Sequence, residues 1–162
     1  MVMAHGKFKL CVFGPYDAGK SSLIQALDQN TRHIEARCEG GSTTVALDYG
    51  RVQVGQETVY LFGTPGQERF EFVRQILARG MDGAIIVVDS TADPDPMVRH
   101  LSNWLIAQKV PYAIMLNKCD LPGSSPSRFA HEIGDASVYL VSAKSGKNVH
   151  EALSLFIQGL KR

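Results

Sequence analysis

Strand-length apolar runs that alternate with helical stripes predict an α/β domain, a mostly parallel sheet covered by helices on both faces. Two observations weigh most. Gly83–Asp89 (GAIIVVD) is apolar almost without a break, the pattern of a strand buried on both sides. Between such runs apolar positions recur at helical spacing, as in Val98, Leu101, Trp104 and Leu105. In chain order, Lys7–Phe13 (KFKLCVF) is a β-rich run closed by a Gly/Pro turn, and Ser21–Asn30 carries Leu23, Ile24 and Leu27 on one helical face. Val45–Val54 and Thr58–Phe62 read as two strands with Gly55-Gln56-Glu57 between them as a short hairpin connection. Phe70, Val73, Ile76 and Leu77 form a helical stripe ended by Gly80. Tyr112–Leu116 is a further buried strand and Val138–Val141 a short one. Val149, Ala152, Leu153, Phe156 and Leu160 line a last helix. No linker, repeat or low-complexity block interrupts the series, so a single domain over residues 6–162 is expected.

Composition excludes more than it assigns. The 162 residues hold 17 Lys+Arg against 16 Asp+Glu, a net charge of +1, which is not the strongly basic footprint of a dedicated nucleic-acid binder. No run approaches the roughly 18 apolar residues of a membrane span. Met1–Lys7 lacks the apolar core of a signal peptide. Cys11, Cys38 and Cys119 are too few and scattered for a disulfide framework or a zinc site, and a reduced, cytoplasmic setting is expected. His5, His33, His100, His131 and His150 show no metal-ligand spacing and read as surface or structural.

Gly14-Pro15-Tyr16-Asp17-Ala18-Gly19-Lys20-Ser21 matches G-x-x-x-x-G-K-[ST] and stands between the first strand and the first helix. Such a loop wraps a polyphosphate with successive backbone N–H groups, and it needs glycine where a Cβ would block close approach. The positive end of the following helix points at the phosphates. Lys20 reaches the β- and γ-phosphates, and Ser21 offers its hydroxyl to magnesium. The loop announces a triphosphate without naming the base.

Further on, the strand Tyr112–Leu116 runs into Asn117-Lys118-Cys119-Asp120, and Val138–Val141 into Ser142-Ala143-Lys144. With the phosphate loop, N-K-x-D and S-A-K in this order, the chain resembles the Ras-like small GTPases over essentially its whole length. The resemblance implies a P-loop NTPase fold, a six-stranded mostly parallel sheet with roughly five helices and one antiparallel strand from the hairpin near Gly55. It implies that Asp120 reads guanine, Lys118 lays its stem along the ring, and Asn117 ties this loop to the phosphate loop. It also implies that the Ala143 N–H meets the guanine oxygen while Lys144 packs over the other face. The chemistry agrees: a fixed carboxylate accepts from guanine N1–H and N2–H, where adenine offers an acceptor, a difference worth about 10⁴ in affinity. The implied nucleotide contacts are Gly14, Asp17, Ala18, Gly19, Lys20, Ser21, Ser22, Thr44, Gly66, Asn117, Lys118, Asp120, Ser142, Ala143 and Lys144, with Ser21 and Thr44 on magnesium.

The same resemblance implies two switch segments. Thr44-Val45-Ala46-Leu47-Asp48-Tyr49 looks like the first, with Thr44 closing over magnesium and the γ-phosphate; Thr43 is the alternative, and an ordinary first strand residue is the plain one. Glu39-Gly40-Gly41-Ser42 before it suits an order–disorder change. The second should begin D-x-x-G-Q and here is Gly63-Thr64-Pro65-Gly66-Gln67. Gly66 and Gln67 would sense the γ-phosphate and orient the attacking water, Gln67 and Lys20 being the catalytic pair. The aspartate is replaced by Gly63, as in prokaryotic members with a T-x-P-G-Q second switch. Asp89 is expected to take over part of its magnesium role. Tyr16-Asp17 stands where relatives carry small residues and would crowd Gln67 or a partner's arginine, so turnover near 10⁻⁴ s⁻¹ is expected, roughly that of unassisted members. Arg37 is expected to be a solvated loop residue, with an arginine acting in cis as the alternative.

The expected ligands are therefore GTP, GDP and Mg²⁺. Expected partners are an effector and activating and exchange proteins that grip the switches, for instance at Phe70 or Phe72. A monomer is expected, with dimerisation or a stable partner left open. Val2 and a C-terminus without cysteine predict no lipid anchor. The alternative reading is a module that holds GTP with negligible hydrolysis, favoured by Gly63 and Tyr16.

Overall fold

The computed structural model describes residues 6–15, 17–37, 44–63, 80–134 and 136–161, with the side chains of 32–37, 44–47 and 132 also outside the description. The helical stripe at Phe70–Leu77, the loop at 38–43, Tyr16, Gly66 and Gln67 all lie outside the described residues.

The chain runs β1 (Lys7–Phe13), α1 (Lys20–Leu27), β2 (Arg32–Arg37), β3 (Thr44–Val54), β4 (Glu57–Gly63), β5 (Gly83–Asp89), α2 (Pro96–Ala107), β6 (Tyr112–Asn117), a 3₁₀ turn (Pro126–Phe129), α3 (Ala130–Ile133), β7 (Ser137–Leu140) and α4 (Val149–Leu160). The sheet order is β2-β3-β4-β1-β5-β6-β7. β4, β1, β5, β6 and β7 are mutually parallel, and β3 runs against its neighbours β2 and β4. The six strands expected from the sequence are thus joined by an edge strand, β2. The β3–β4 turn is two residues, Gly55-Gln56, one shorter than the sequence suggests; Val54 pairs with Glu57. Gly55 supplies the φ of +60° that a II′ turn needs at its first central position.

Strand alternation divides the core in two. Leu10 and Val12 of β1, with Ile85 and Val87 of β5, face α1 and α4. Cys11 and Phe13, with Ala84, Ile86 and Val88, face α2 on the other side. This two-sided burial is why β5 reads as an unbroken apolar run. Burial pushes the Cys11 thiol up to about 12, against a smaller lowering by Lys9, so it serves as packing. α2 begins at Asp95, whose carboxylate accepts from the Met97 N–H at 2.9 Å, with Pro96 in the first turn.

α1 buries Leu23, Ile24 and Leu27 in the first of these layers, each worth about 1.5–3 kcal/mol relative to exposure. It stops at Leu27, short of the predicted Asn30, because Asp28 turns extended and spends its carboxylate on the N–H groups of Asn30 and Arg51. Gly50 of β3 and Gly63 of β4 lie under it: a Cβ on either would come within 2.7 Å of Ile24. Their bareness lets α1 settle close to the β3–β4 hairpin.

Candidate functional site

Parallel strands deliver their carboxyl ends to one edge of the sheet, and in such sheets ligands bind beyond those ends. The loop after β1, Asp89 at the end of β5, Asn117 at the end of β6 and Ser142 after β7 all follow from this geometry.

The loop after β1 bends through left-handed backbone at Gly14 (φ +150°), Asp17 (+65°) and Gly19 (+99°). A Cβ at Gly14 would overlap the Val87 carbonyl oxygen, and one at Gly19 the Asn117 Nδ2. α1 starts at Gly19 with no side-chain cap, so its first-turn N–H groups face outward as anion donors. Lys20 Nζ donates to the Gly14 carbonyl at 2.7 Å, folding the ammonium back over the loop. Burial pulls the Lys20 ammonium down to about 8, partly opposed by the negative charge of Asp48. Ser21 and Ser22 are exposed at the start of the helix, and the Ser21 hydroxyl donates to Asp48 Oδ2. Gly19→Ala is expected to cost about 1–3 kcal/mol in urea unfolding through strained backbone, and to remove nucleotide binding in the same titration series.

Asn117 joins three segments. Its Nδ2 donates to the Ala18 carbonyl at 2.9 Å, and its Oδ1 accepts the Ala143 N–H at 2.9 Å. All three residues are buried. Next to it Lys118, at φ +64°, donates to the Asp17 carbonyl at 3.2 Å and to Asp89 at 2.8 Å. The Cys119 N–H donates to the Val141 carbonyl at 3.1 Å, which fastens this loop to the end of β7. Asp120 stands exposed beyond it, as does Lys144. Ser142 is buried; its Oγ accepts from the Ser145 N–H at 3.3 Å, shaping the turn that carries Ala143 and Lys144.

The structure also places Asp89, Ala143 and Thr44. The Asp89 carboxylate, expected to take over part of the magnesium role, is taken up by Lys118 and by the hydroxyl and N–H of Thr91. Burial raises the Asp89 pKa, but those hydrogen bonds outweigh it and hold the carboxyl below its usual range. The Ala143 N–H, expected on a guanine oxygen, donates to Asn117 Oδ1. Thr44 is the first residue of β3, in register with Arg37 of β2, so both are strand residues. Asp48 itself was missed by sequence reasoning.

A cleft of about 830 Å³ lies elsewhere, lined by Phe8, Ser102, Ile106, Tyr112, Leu155 and others. Phe8 and Tyr112 belong to the amino ends of their strands, and none of the predicted phosphate or base residues lines it. The motifs, not the size of the hollow, locate the site. No group of three or more His, Cys, Asp or Glu among the described residues could hold a metal. No helix among the described residues is long and apolar enough to cross a membrane.

A strand–loop–helix phosphate cradle tied by one asparagine to N-K-C-D and S-A-K loops is the arrangement of a P-loop GTPase domain, one that binds guanine nucleotide. Residues 7–162 match the elongation factor Tu GTP binding domain, and the chain belongs to that family. The resemblance to Ras-like proteins holds at the level of the GTPase domain, and the family matched is the translation-factor one. An uncharacterized protein of Methanocaldococcus jannaschii is 32% identical over 119 residues, covering 74% of this chain and 75% of that one. Translation initiation factor IF-2 of Alkaliphilus metalliredigens is 29% identical over 157 residues, 90% of this chain but 22% of the factor. The chain thus spans about a fifth of the initiation factors it matches. Among solved structures, the G domain of the T. maritima FeoB iron transporter superposes with a TM-score of 0.76 at 21% identity, over 96% of this chain and 99% of that one. Elongation factor SelB of Methanococcus maripaludis, in complex with the GTP analogue GppNHp, gives 0.73 at 20% identity, over 99% and 35%. These last two likenesses establish the fold. Hydrolysis of GTP is the reaction at the level of the family.

Proposed function

We propose that this chain is a GTP-driven switch, which binds GTP and GDP with magnesium and hydrolyses GTP slowly when unassisted. The observation that carries this reading is Asn117, whose two amide atoms hold the phosphate loop and the S-A-K loop in one frame. Within that frame Lys20 exchanges the Gly14 carbonyl for phosphate oxygens, and the first-turn N–H groups of α1 supply further donors. Asp120 accepts from guanine N1–H and N2–H, with Lys118 and Lys144 covering the two faces of the ring. Gln67 orients the attacking water, and Gly66 and Thr44 register the γ-phosphate as the switches close. The hard oxygen donors Ser21 and Asp48, adjacent at the phosphate end, fit a magnesium ion. Magnesium, when bound, neutralises charge on the β- and γ-phosphates. Effectors and activating and exchange proteins would read the segments around Thr44 and Gln67–Phe72, in the cytoplasm that the scattered cysteines suggest.

A second reading, a module that holds GTP without turning it over, is favoured by one observation: residue 63 carries no carboxylate. Phosphate release from GTP and from ATP, measured with magnesium for the wild type and Gln67→Leu, separates the two. Release from GTP alone, lost in the variant by about 10²-fold or more, is the expected result. Tight GTP binding with no release in the wild type would select the second reading, and release from ATP would remove both.

A further inference from the structure

The β3–β4 register sets Asp48 directly opposite Gly63. Directly paired residues of an antiparallel ladder point to the same face, with Cα atoms about 4.5–5.5 Å apart. The position that lacks an acid therefore has an acid one strand away, on the same face. A Cβ on Gly63 would lie 3.3 Å from Asp48 Cβ, so the two sites adjoin. α1 completes the arrangement. Ser21 and Ile24 lie one turn apart on it and Asp28 follows its last residue; Ile24 sits against Gly50 and Gly63, Asp28 receives the Arg51 N–H, and Ser21 donates to Asp48. Asp48 also stands close enough to Lys20 to raise that ammonium's proton affinity. The rival carboxylate, Asp89, is held by Lys118 and Thr91 on the base-loop side.

We infer that Asp48 is the protein carboxylate of this chain's magnesium site, acting with the Ser21 hydroxyl from β3 in place of the acid absent at position 63. This rests on the reading of the chain as a magnesium-dependent GTP binder, and it deepens that reading by naming the residue that sets metal affinity. The donor set is then one hydroxyl and one carboxylate, both hard oxygens, with phosphates and water to complete six positions.

The test follows dissociation of a fluorescent GDP from the full chain as magnesium is titrated against EDTA. In the wild type, magnesium is expected to slow dissociation with a definite half-saturating concentration. Asp48→Asn should raise that concentration about 10- to 100-fold, a larger change than it makes to dissociation in EDTA. Asp89→Asn should instead speed dissociation equally with and without magnesium, because it loosens Lys118. An unchanged half-saturation in Asp48→Asn, or the large shift appearing in Asp89→Asn, overturns the inference. No guanine-nucleotide binding by the wild type would sink the functional reading itself, which is a different result. Should Asp48→Asn not fold, the wild type carries the test: with ¹³C-labelled aspartate and Mn²⁺·GDP, the Asp48 carboxyl signal should broaden away. A sharp Asp48 signal beside a broadened Asp89 signal would refute the proposal.

Discussion

Asn117→Ala is expected to lower unfolding free energy by about 2–5 kcal/mol and to abolish tight nucleotide binding. The side chain is 3% exposed and makes two bonds of good length to backbone groups of residues that are themselves buried. Truncation leaves the Ala18 carbonyl and the Ala143 N–H buried and unpaired, which costs about 1–3 kcal/mol apiece. Asn117→Asp should be no milder. One carboxylate oxygen can still accept from Ala143, but the other faces the Ala18 carbonyl, acceptor against acceptor, with a buried charge added. Urea unfolding reads the effect as a lower midpoint at unchanged slope. A variant that unfolds like the wild type would show that the three segments hold together without their shared amide.

Asp120→Ala is expected to act in the opposite manner, with a large effect on binding and almost none on the fold. Asp120 is exposed, and the loop that carries it is fixed by backbone bonds from Cys119 to Val141 and from Leu121 to Lys118. Stability should stay within about 0.5 kcal/mol of the wild type. GTP affinity should fall by roughly 10³–10⁴, because guanine N1–H and N2–H lose their acceptor inside a closed site. ATP, which never had that pair, should bind no worse than before. Calorimetric titration with both nucleotides checks this. Equal losses for GTP and ATP would mean that Asp120 shapes the loop and does not read the base.

The phosphate and base loops were legible in the sequence because each demands residue types that backbone geometry leaves no freedom to change. Gly14 and Gly19 stand where a Cβ collides with Val87 or Asn117. The buried strands were legible because two-sided burial writes an unbroken apolar run, as in β5. β2 was not: RHIEAR alternates charge with two small or apolar residues, and an edge strand needs no more than that. Asp48 was hidden by a single residue of turn length. A connection over Gly55-Gln56-Glu57 shifts the hairpin register by one and turns Asp48 away from position 63. The two-residue turn brings them together. The signal was there in Gly55, whose place at the first turn position favours the shorter loop.

The close fit of Ile24 against Gly63 has a consequence for how this chain can change. An aspartate restored at position 63 would drive its Cβ to within 2.7 Å of the Ile24 δ-methyl and 3.3 Å of Asp48. The two placements of the acid compete for one volume, and Ile24 already occupies part of it. The Ile24 δ-methyl is the end of a flexible side chain and can swing aside, whereas the Asp48 Cβ stands on the strand and yields only by a few tenths of an ångström. An acid at 63 is thus opposed more by the neighbouring strand than by the helix above it.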